Sequence, residues 1–184
     1  MLRLLDFKLK ACNLIMNCGV ALFGNKRKFA VTEISMEGIS AEQITRGLDV
    51  LMLEQSEENN KVNLWACPDH YILKPGVDNC LEVIETCGSA PFPMQFFIKY
   101  GDETGLQTPR DASYPYQSAG VAYSKSGKLI GGVRHQFRDT ATGFEARLVV
   151  EFPAILPTPI LKAHQMHLAC EFSHWFQWLK NHHT

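Results

Sequence analysis

Apolar side chains at helical spacing predict two helices in the first third of the chain. In residues 4–23 the apolar positions recur every three or four residues, and Gly24 then supplies a stop signal. A second helix is predicted to begin after Ser40, because Gln43 three residues later completes a capping box. Residues 26–35 between them read as a strand, and residues 55–60 read as a polar loop.

The middle of the chain changes to short β-rich runs separated by turn residues: 61–67, 70–74, 80–86, 94–100, 119–124, 128–138 and 143–152. Because no helical segment separates them, these runs predict an antiparallel sheet. In the last hairpin, pairing Phe137 with Phe144 and His135 with Ala146 places the apolar side chains on one face. The opposite face is then predicted to be a charged, solvent-facing surface, made of Arg134, Gln136, Arg138, Glu145, Arg147 and Glu151.

A long helix closes the chain, starting at Thr158-Pro159 and running to about Lys180. Its apolar arc must pack on the sheet. We therefore predict an α+β fold, in which an antiparallel sheet of about six or seven strands is packed by this helix and by the two N-terminal helices. The outline resembles the helix-grip arrangement, which commonly encloses an apolar ligand, although a fold does not determine a function. Residues 1–184 are predicted to form one domain, since no linker or repeat interrupts them.

Composition and charge narrow the class of protein. The 184 residues are 46% hydrophobic and 20% charged, which is typical of a globular protein, and no apolar run is long enough to cross a membrane. An acidic middle, residues 31–103, lies between two basic ends, which argues against nucleic-acid binding. The six cysteines are scattered without a CxxC motif, and no convincing secretory signal is present. These features predict a cytoplasmic protein with reduced thiols.

Two groups of residues could carry metal chemistry. His164, His167, Glu171 and His174 recur at three- and four-residue steps on the last helix, where they could bind zinc or iron, with His135 pointing toward them from the sheet. Their spacing does not match an HExxH motif, and histidines at a core border are often structural. The pattern therefore favours structural or interface histidines over a metal, and we predict no cofactor.

The second group is a CxxH sequence, Cys67-Pro68-Asp69-His70, followed by Cys80 and Cys87. A thiolate and an imidazole could serve as zinc ligands or as a nucleophile and its base. Pro68-Asp69 is also typical of a hairpin turn between two strands. Such a turn would explain the local sequence without any chemistry.

The segment 101–118 is the least ordinary stretch, because it joins two strands over eighteen residues without an apolar period. Aromatic side chains are effective interface residues, so Tyr114 and Tyr116 are predicted to contact a protein partner, oriented by Arg110 and Asp111. Phe92, in the proline-bearing connection 90–93, would extend this surface if the two connections lie close together.

On the last helix, Met166 and Cys170 face away from the core arc. A second copy of the chain or the N-terminal helix could cover them, so self-association is a further expectation.

Three functions remain open at this point. The leading hypothesis is a non-catalytic binding or regulatory protein that engages a protein partner through residues 101–118 and the charged sheet face, because no catalytic signature is present. The first alternative is a carrier of a small apolar ligand, held in a cavity lined by His135, Phe137, Leu168, Phe172 and Trp175. The second is a metal-dependent enzyme that uses the histidines and the glutamate of the last helix.

Overall fold

The computed structural model describes residues 2–86, 90 and 92–182. In chain order, its elements are α1 (Leu2–Phe23), β1 (Arg27–Glu37), α2 (Ala41–Leu53), α3 (Glu57–Ala66), β2 (His70–Pro75), β3 (Cys80–Glu85), β4 (Met94–Tyr100), β5 (Tyr116–Ser124), β6 (Leu129–Asp139), β7 (Gly143–Pro153) and α4 (Thr158–His182). The predicted α+β class is confirmed. No helix in the described ranges is long and apolar enough to cross a membrane.

All seven strands form one antiparallel sheet in the order β1-β7-β6-β5-β4-β3-β2. The first strand therefore pairs with the last, while β2 and β3 lie at the opposite edge. The sheet curls around α4, and the main core lies between them. Phe137, Phe144 and Phe176 meet there at ring-centroid distances of 5.0–6.4 Å, and all three are completely buried.

The α2 helix begins as predicted. The Ser40 side chain accepts a hydrogen bond from the Gln43 backbone N–H, and the Gln43 side chain accepts one from the Ser40 backbone N–H. These reciprocal bonds satisfy two amide groups that the first helical turn leaves without partners.

The predictions for residues 55–67 were wrong. The polar loop at 55–60 and the strand at 61–67 are replaced by helix α3, whose N-cap Ser56 accepts a hydrogen bond from the Asn59 backbone. The buried positions are Asn59, Val62, Asn63 and Ala66, which follow the helical repeat. Two of these positions are asparagines, so the apolar pattern alone does not show the helix. Pro68-Asp69 consequently connects a helix to a strand, not two strands.

The predicted pairing of the last hairpin was wrong by two residues. Phe137 pairs with Ala146 and His135 with Leu148, and Asp139 belongs to β6. A shift of two residues preserves the faces of both strands because side chains alternate with a period of two. The predicted inward set is therefore retained.

The other face of this hairpin is not the predicted solvent surface. Arg134, Gln136 and Glu151 are 1–3% exposed, because the segment after β4 folds back across them. Glu151 accepts hydrogen bonds from the backbone N–H groups of Gln107 and Thr108. The 101–118 segment is thus a docked cover for the outer face of the sheet.

Candidate functional site

A cavity of about 90 Å³ lies between the inner face of the sheet and α4. Most of its wall is apolar, with Val133 and Ala122 from the sheet and Leu168 and Phe172 from α4. Met16 of α1 and Leu48 of α2 also contribute to the wall. Of the five predicted cavity residues, His135, Leu168, Phe172 and Trp175 line this space, whereas Phe137 lies within the packed aromatic core.

One part of the cavity wall is polar. Glu85, Glu171, His135, His164 and Trp175 all line it and are all buried. Among the described residues, two side-chain nitrogens at this end, His135 Nδ1 and Trp175 Nε1, have no hydrogen-bond partner. Buried polar groups are normally paired, so two unpaired nitrogens on the wall of one cavity indicate a place for a polar ligand atom or water.

Next to this polar wall, four side chains direct one atom each toward a common point. His70 Nε2 lies 3.3 Å from His167 Nε2 and 2.9 Å from Glu171 Oε2. His167 Nε2 is 3.4 Å from Glu171 Oε2 and 3.4 Å from Glu85 Oε2. The distance between Glu85 Oε2 and His70 Nε2 is 4.0 Å. We call these four residues the His-Glu cluster.

Three separate elements position the His-Glu cluster. His70 is the first residue of β2, and its backbone pairs with that of Glu85, the last residue of β3. His167 and Glu171 are four residues apart on α4 and therefore lie on the same face of the helix. The Trp175 indole stacks on the His70 ring at a centroid distance of 5.9 Å. The edge of the sheet and the middle of α4 thus meet at this cluster.

The structure brings together the two groups that the sequence suggested separately. Cys67 Sγ lies 3.5 Å from His167 Nδ1, and Asp69 Oδ2 lies 3.3 Å from the same nitrogen. All three residues of the CxxH segment that contact α4, namely Cys67, Asp69 and His70, therefore contact His167. Cys67 is 2% exposed and does not line the cavity. Its thiol therefore lacks the access to substrate that a nucleophile requires.

The electrostatics divide the buried histidines into two kinds. Burial disfavours a charged His70, but the hydrogen bond and charge of Glu171 outweigh it and raise the pKa of His70 to about 8. For His167, burial is likewise outweighed by the charge of Glu171 together with the hydrogen bonds to Cys67, Glu171 and Glu85, and its pKa is raised. In contrast, burial lowers the pKa of His135 and of His164 to about 4, so both are neutral at pH 7. Positive charge is thus concentrated in the cluster.

Glu171 shows the reverse effect. Burial alone would raise its pKa, but the charge of His167 and the hydrogen bonds from His167 and His70 hold the pKa below its ordinary value. Burial raises the pKa of the Cys67 thiol, but the hydrogen bond to His167, the backbone hydrogen bond at Asp69 and the charges of His167 and His70 together outweigh it, so the net direction is downward.

Two histidines of the predicted α4 stripe lie outside the cluster. His164 Nδ1 is 4.0 Å from Glu85 Oε1, and its ring stacks on that of His167. His174 instead forms a 2.7 Å hydrogen bond with the backbone oxygen of Ala66 and lies beside Trp65. It therefore ties α4 to α3 and does not reach the His-Glu cluster.

Glu85 was missed in the sequence, although a signal was present. Leu81, Val83 and Glu85 occupy alternate positions of β3, and the first two are buried in the core. A glutamate that continues an inward-facing apolar series is a buried carboxylate, and such groups require partners.

The residues predicted to bind a protein partner have varied surroundings. Tyr114 is only 9% exposed, with its hydroxyl donating to Glu145 and Arg138 lying over its ring, so its predicted availability as a contact residue was wrong. Tyr116 belongs to β5 and packs against the core. Arg110 is exposed and paired with Glu103, and Asp111 accepts hydrogen bonds from Ser113.

Phe92 is half-buried just before β4. The 101–118 segment follows the other end of that strand, so the two connections are separated by its length of roughly 20 Å. They do not form one continuous surface. Pro91, within the predicted 90–93 connection, lies outside the described residues.

The surroundings of Met166 and Cys170 also differ. Met166 is 72% exposed, whereas Cys170 lies against α3, with its Sγ 3.8 Å from the oxygen of Ala66. The predicted self-association therefore stays a prediction that depends on Met166 alone.

Comparisons with known proteins identify the fold. No family model matches the chain, and no curated protein sequence matches it. Among solved structures, the crystal structure of Ara h 8.0201 superposes with a TM-score of 0.53 at 11% identity, over 84% of this chain and 98% of that one. An AHSA1-like protein from Aeromonas hydrophila matches with a TM-score of 0.47 at 14% identity, over 82% and 92% of the two chains. The protein thus has a helix-grip fold, and at such identities the likeness concerns the fold alone.

Proposed function

We propose that the protein binds a small, mostly apolar molecule in the cavity between the sheet and α4. The observation that carries this proposal is the cavity itself, an apolar space with one polar end inside a well-packed core. Its volume of about 90 Å³ is several times the roughly 15 Å³ that one water molecule needs. It is smaller than the few hundred Å³ of a site for drug-sized molecules, so the ligand is small.

The polar end of the cavity suggests the chemistry of the ligand. Trp175 Nε1–H can only donate a hydrogen bond, and it lacks an acceptor among the described residues. Among the described residues of the cavity wall there is no lysine or arginine, and Glu85 and Glu171 already pair with His70 and His167, so this end offers no free positive charge to hold an anionic group. A neutral carbonyl or hydroxyl oxygen satisfies both conditions. The proposed ligand class is therefore a small cyclic or short-chain ketone or alcohol.

An NMR titration tests this proposal at the Trp175 Nε1–H group. The chain has three tryptophans, and a Trp175→Phe variant identifies the indole Nε1–H signal of Trp175. Cyclohexanone is expected to shift this signal more than those of the other two indoles, because its oxygen accepts the free hydrogen bond. Methylcyclohexane has a similar ring and no acceptor, so it should fill the cavity with a smaller shift. No change in any cavity resonance up to the solubility limit of both probes would contradict the proposal.

The helix-grip fold is compatible with this function because that arrangement commonly encloses an apolar ligand. The docking of residues 101–118 on the sheet supports it further, since it removes Tyr114 from the surface that a protein partner would contact. Binding of a protein partner through Arg110, Asp111, Tyr116 and Phe92, self-association and a cytoplasmic location stay predictions. The described cysteines are free thiols.

A further inference from the structure

We propose that His70, His167, Glu85 and Glu171 form a binding site for one divalent transition-metal ion of the zinc class. The ion would join α4 to the β2–β3 edge of the sheet. This proposal does not depend on the identity of the cavity ligand.

The spacing of the four converging atoms suits a tetrahedral ion. With metal–ligand bonds of about 2.0–2.1 Å, the ligand atoms of such a site lie about 3.3–3.4 Å from one another. Five of the six separations among His70 Nε2, His167 Nε2 and the two Oε2 atoms are 2.9, 3.3, 3.4, 3.4 and 4.0 Å. Small side-chain rotations would equalise them.

In each imidazole, the nitrogen that faces away from the cluster, Nδ1, contacts an oxygen acceptor, as is typical of metal-binding histidines. His70 Nδ1 is 2.7 Å from the backbone oxygen of Asn63, which can only accept, so Nδ1 carries the proton. His167 Nδ1 faces the Asp69 carboxylate at 3.3 Å and donates to it. In the neutral rings, both Nε2 lone pairs therefore point into the cluster. A carbonyl or carboxylate behind a histidine fixes this tautomer and strengthens the ligand.

Charge and burial favour a divalent cation at this point. Glu85 and Glu171 are each 6% exposed, and together they bring two negative charges into the interior. In the protein without metal, protonated His70 and His167 balance these charges. A divalent ion would displace the two Nε2 protons and neutralise both carboxylates in their place. Two imidazoles and two carboxylates suit zinc and similar ions, whereas Mg²⁺ and Ca²⁺ prefer oxygen ligands alone.

Cys67, His70 and His167 also offer ligand atoms within 4.8 Å of one another, so a set that includes the thiolate is the competing arrangement. The proposed site leaves Cys67 out because of where its sulfur lies. Its sulfur lies beside Nδ1 of His167, on the opposite side of the ring from the nitrogen that faces the cluster. With four protein ligands the site is closed, which is typical of a structural metal.

The test uses metal alone, with protein that carries no histidine tag and has been stripped with a chelator. Dialysis against micromolar Zn²⁺ should leave one equivalent bound, measured by mass spectrometry of the metal. At a free concentration about a hundredfold above Kd, Zn²⁺ should raise Tm by about 5–10 °C, while Mg²⁺ should have no effect. Co²⁺ should give the visible absorption of a four-coordinate ion without a thiolate charge-transfer band.

The matched variants are His167→Gln and His182→Gln, which change the same residue type on the same helix. His182 is exposed, and its contacts are a hydrogen bond to the Trp178 backbone oxygen and stacking on the Trp178 ring, so this control should bind Zn²⁺ as the wild type does. His167→Gln should weaken Zn²⁺ binding at least a hundredfold. Should this variant not fold, the wild-type stoichiometry and the Co²⁺ spectrum decide alone.

Three results would overturn the metal proposal. They are a wild type that retains less than a tenth of an equivalent of Zn²⁺, a folded His167→Gln variant that retains a full equivalent, and a strong thiolate band with Co²⁺. Each is independent of cyclohexanone binding, so the failure of either proposal can be distinguished from that of the other.

Discussion

Glu103 joins two arginines on the outer face of the sheet. Its carboxylate accepts hydrogen bonds from exposed Arg110 and from Arg134, which is 3% exposed. These bonds outweigh partial burial and lower the pKa of Glu103 from 4.5 to about 2. Because the folded-state pKa is depressed, the contribution of Glu103 to stability is present above about pH 4.5 and is lost as the pH falls toward 2.

Glu103→Gln tests this contribution. At pH 7 we expect the variant to be less stable by about 1 kcal/mol or less, since the carboxylate is partly exposed and solvent screens it. The difference in unfolding free energy from the wild type should shrink between pH 5 and pH 2. Glu57→Gln is the control, because its ion pair with Lys61 is largely exposed to solvent. If the difference in unfolding free energy between Glu103→Gln and the wild type does not change with pH, the stabilisation does not come from the ionised Glu103 carboxylate.

Individual residues also show how far the sequence anticipated the site. The α4 stripe and the CxxH segment were each recognised as candidates, and Glu171, His167 and His70 came from them. Their convergence was not predicted, because it depends on which strand lies at the edge of the sheet beside α4. The sheet joins Arg27 to Pro153, and the cluster joins His70 to His167; no local pattern encodes contacts between positions so far apart in the sequence.

At the level of elements, the helices with apolar stripes and the strands with alternating patterns were recovered. Helix α3 was not. It presents Asn59 and Asn63 inward, where their side chains donate to backbone oxygens of α2, including that of Leu51. A helix that buries amides in place of aliphatic groups lacks the apolar repeat on which the prediction depended.

Helix α3 is important to the cluster because Asn63 supplies the oxygen that orients His70. Its start depends on the Ser56 side chain, which accepts a 2.9 Å hydrogen bond from the Asn59 N–H. Ser56→Ala should lower the unfolding free energy by about 1 kcal/mol, as measured by chemical denaturation. Ser173→Ala, at an exposed position inside α4, should be neutral or slightly stabilising. If the two substitutions change the unfolding free energy equally, Ser56 does not stabilise α3 as its N-cap.

For the whole molecule, the sheet order explains both the correct and the incorrect expectations. The long closing helix and the antiparallel runs were sufficient to predict the helix-grip outline. The outer face was misjudged because alternation shows that Arg134 and Glu151 point away from the core, but not what covers them. Residues 101–118 supply that cover by pairing with these buried charges.

In the part of the chain that the structure describes, the same arrangement leaves a partly open apolar space beside a cluster of buried acids and imidazoles. A core packed for stability alone would fill such a space, since cavities are destabilising. Retention of the cavity, together with the unpaired nitrogens of His135 and Trp175, is what points to ligand binding.

The most direct test of that claim is to fill the cavity from the sheet side. Ala122 lies on β5 and lines the cavity, so Ala122→Leu places a larger aliphatic group inside it. Ala141→Leu makes the same change at an exposed position between β6 and β7. With calorimetry, we predict that Ala122→Leu weakens cyclohexanone binding at least tenfold while Ala141→Leu leaves it unchanged. A folded Ala122→Leu protein that binds cyclohexanone as tightly as the wild type would show that the ligand does not occupy this cavity.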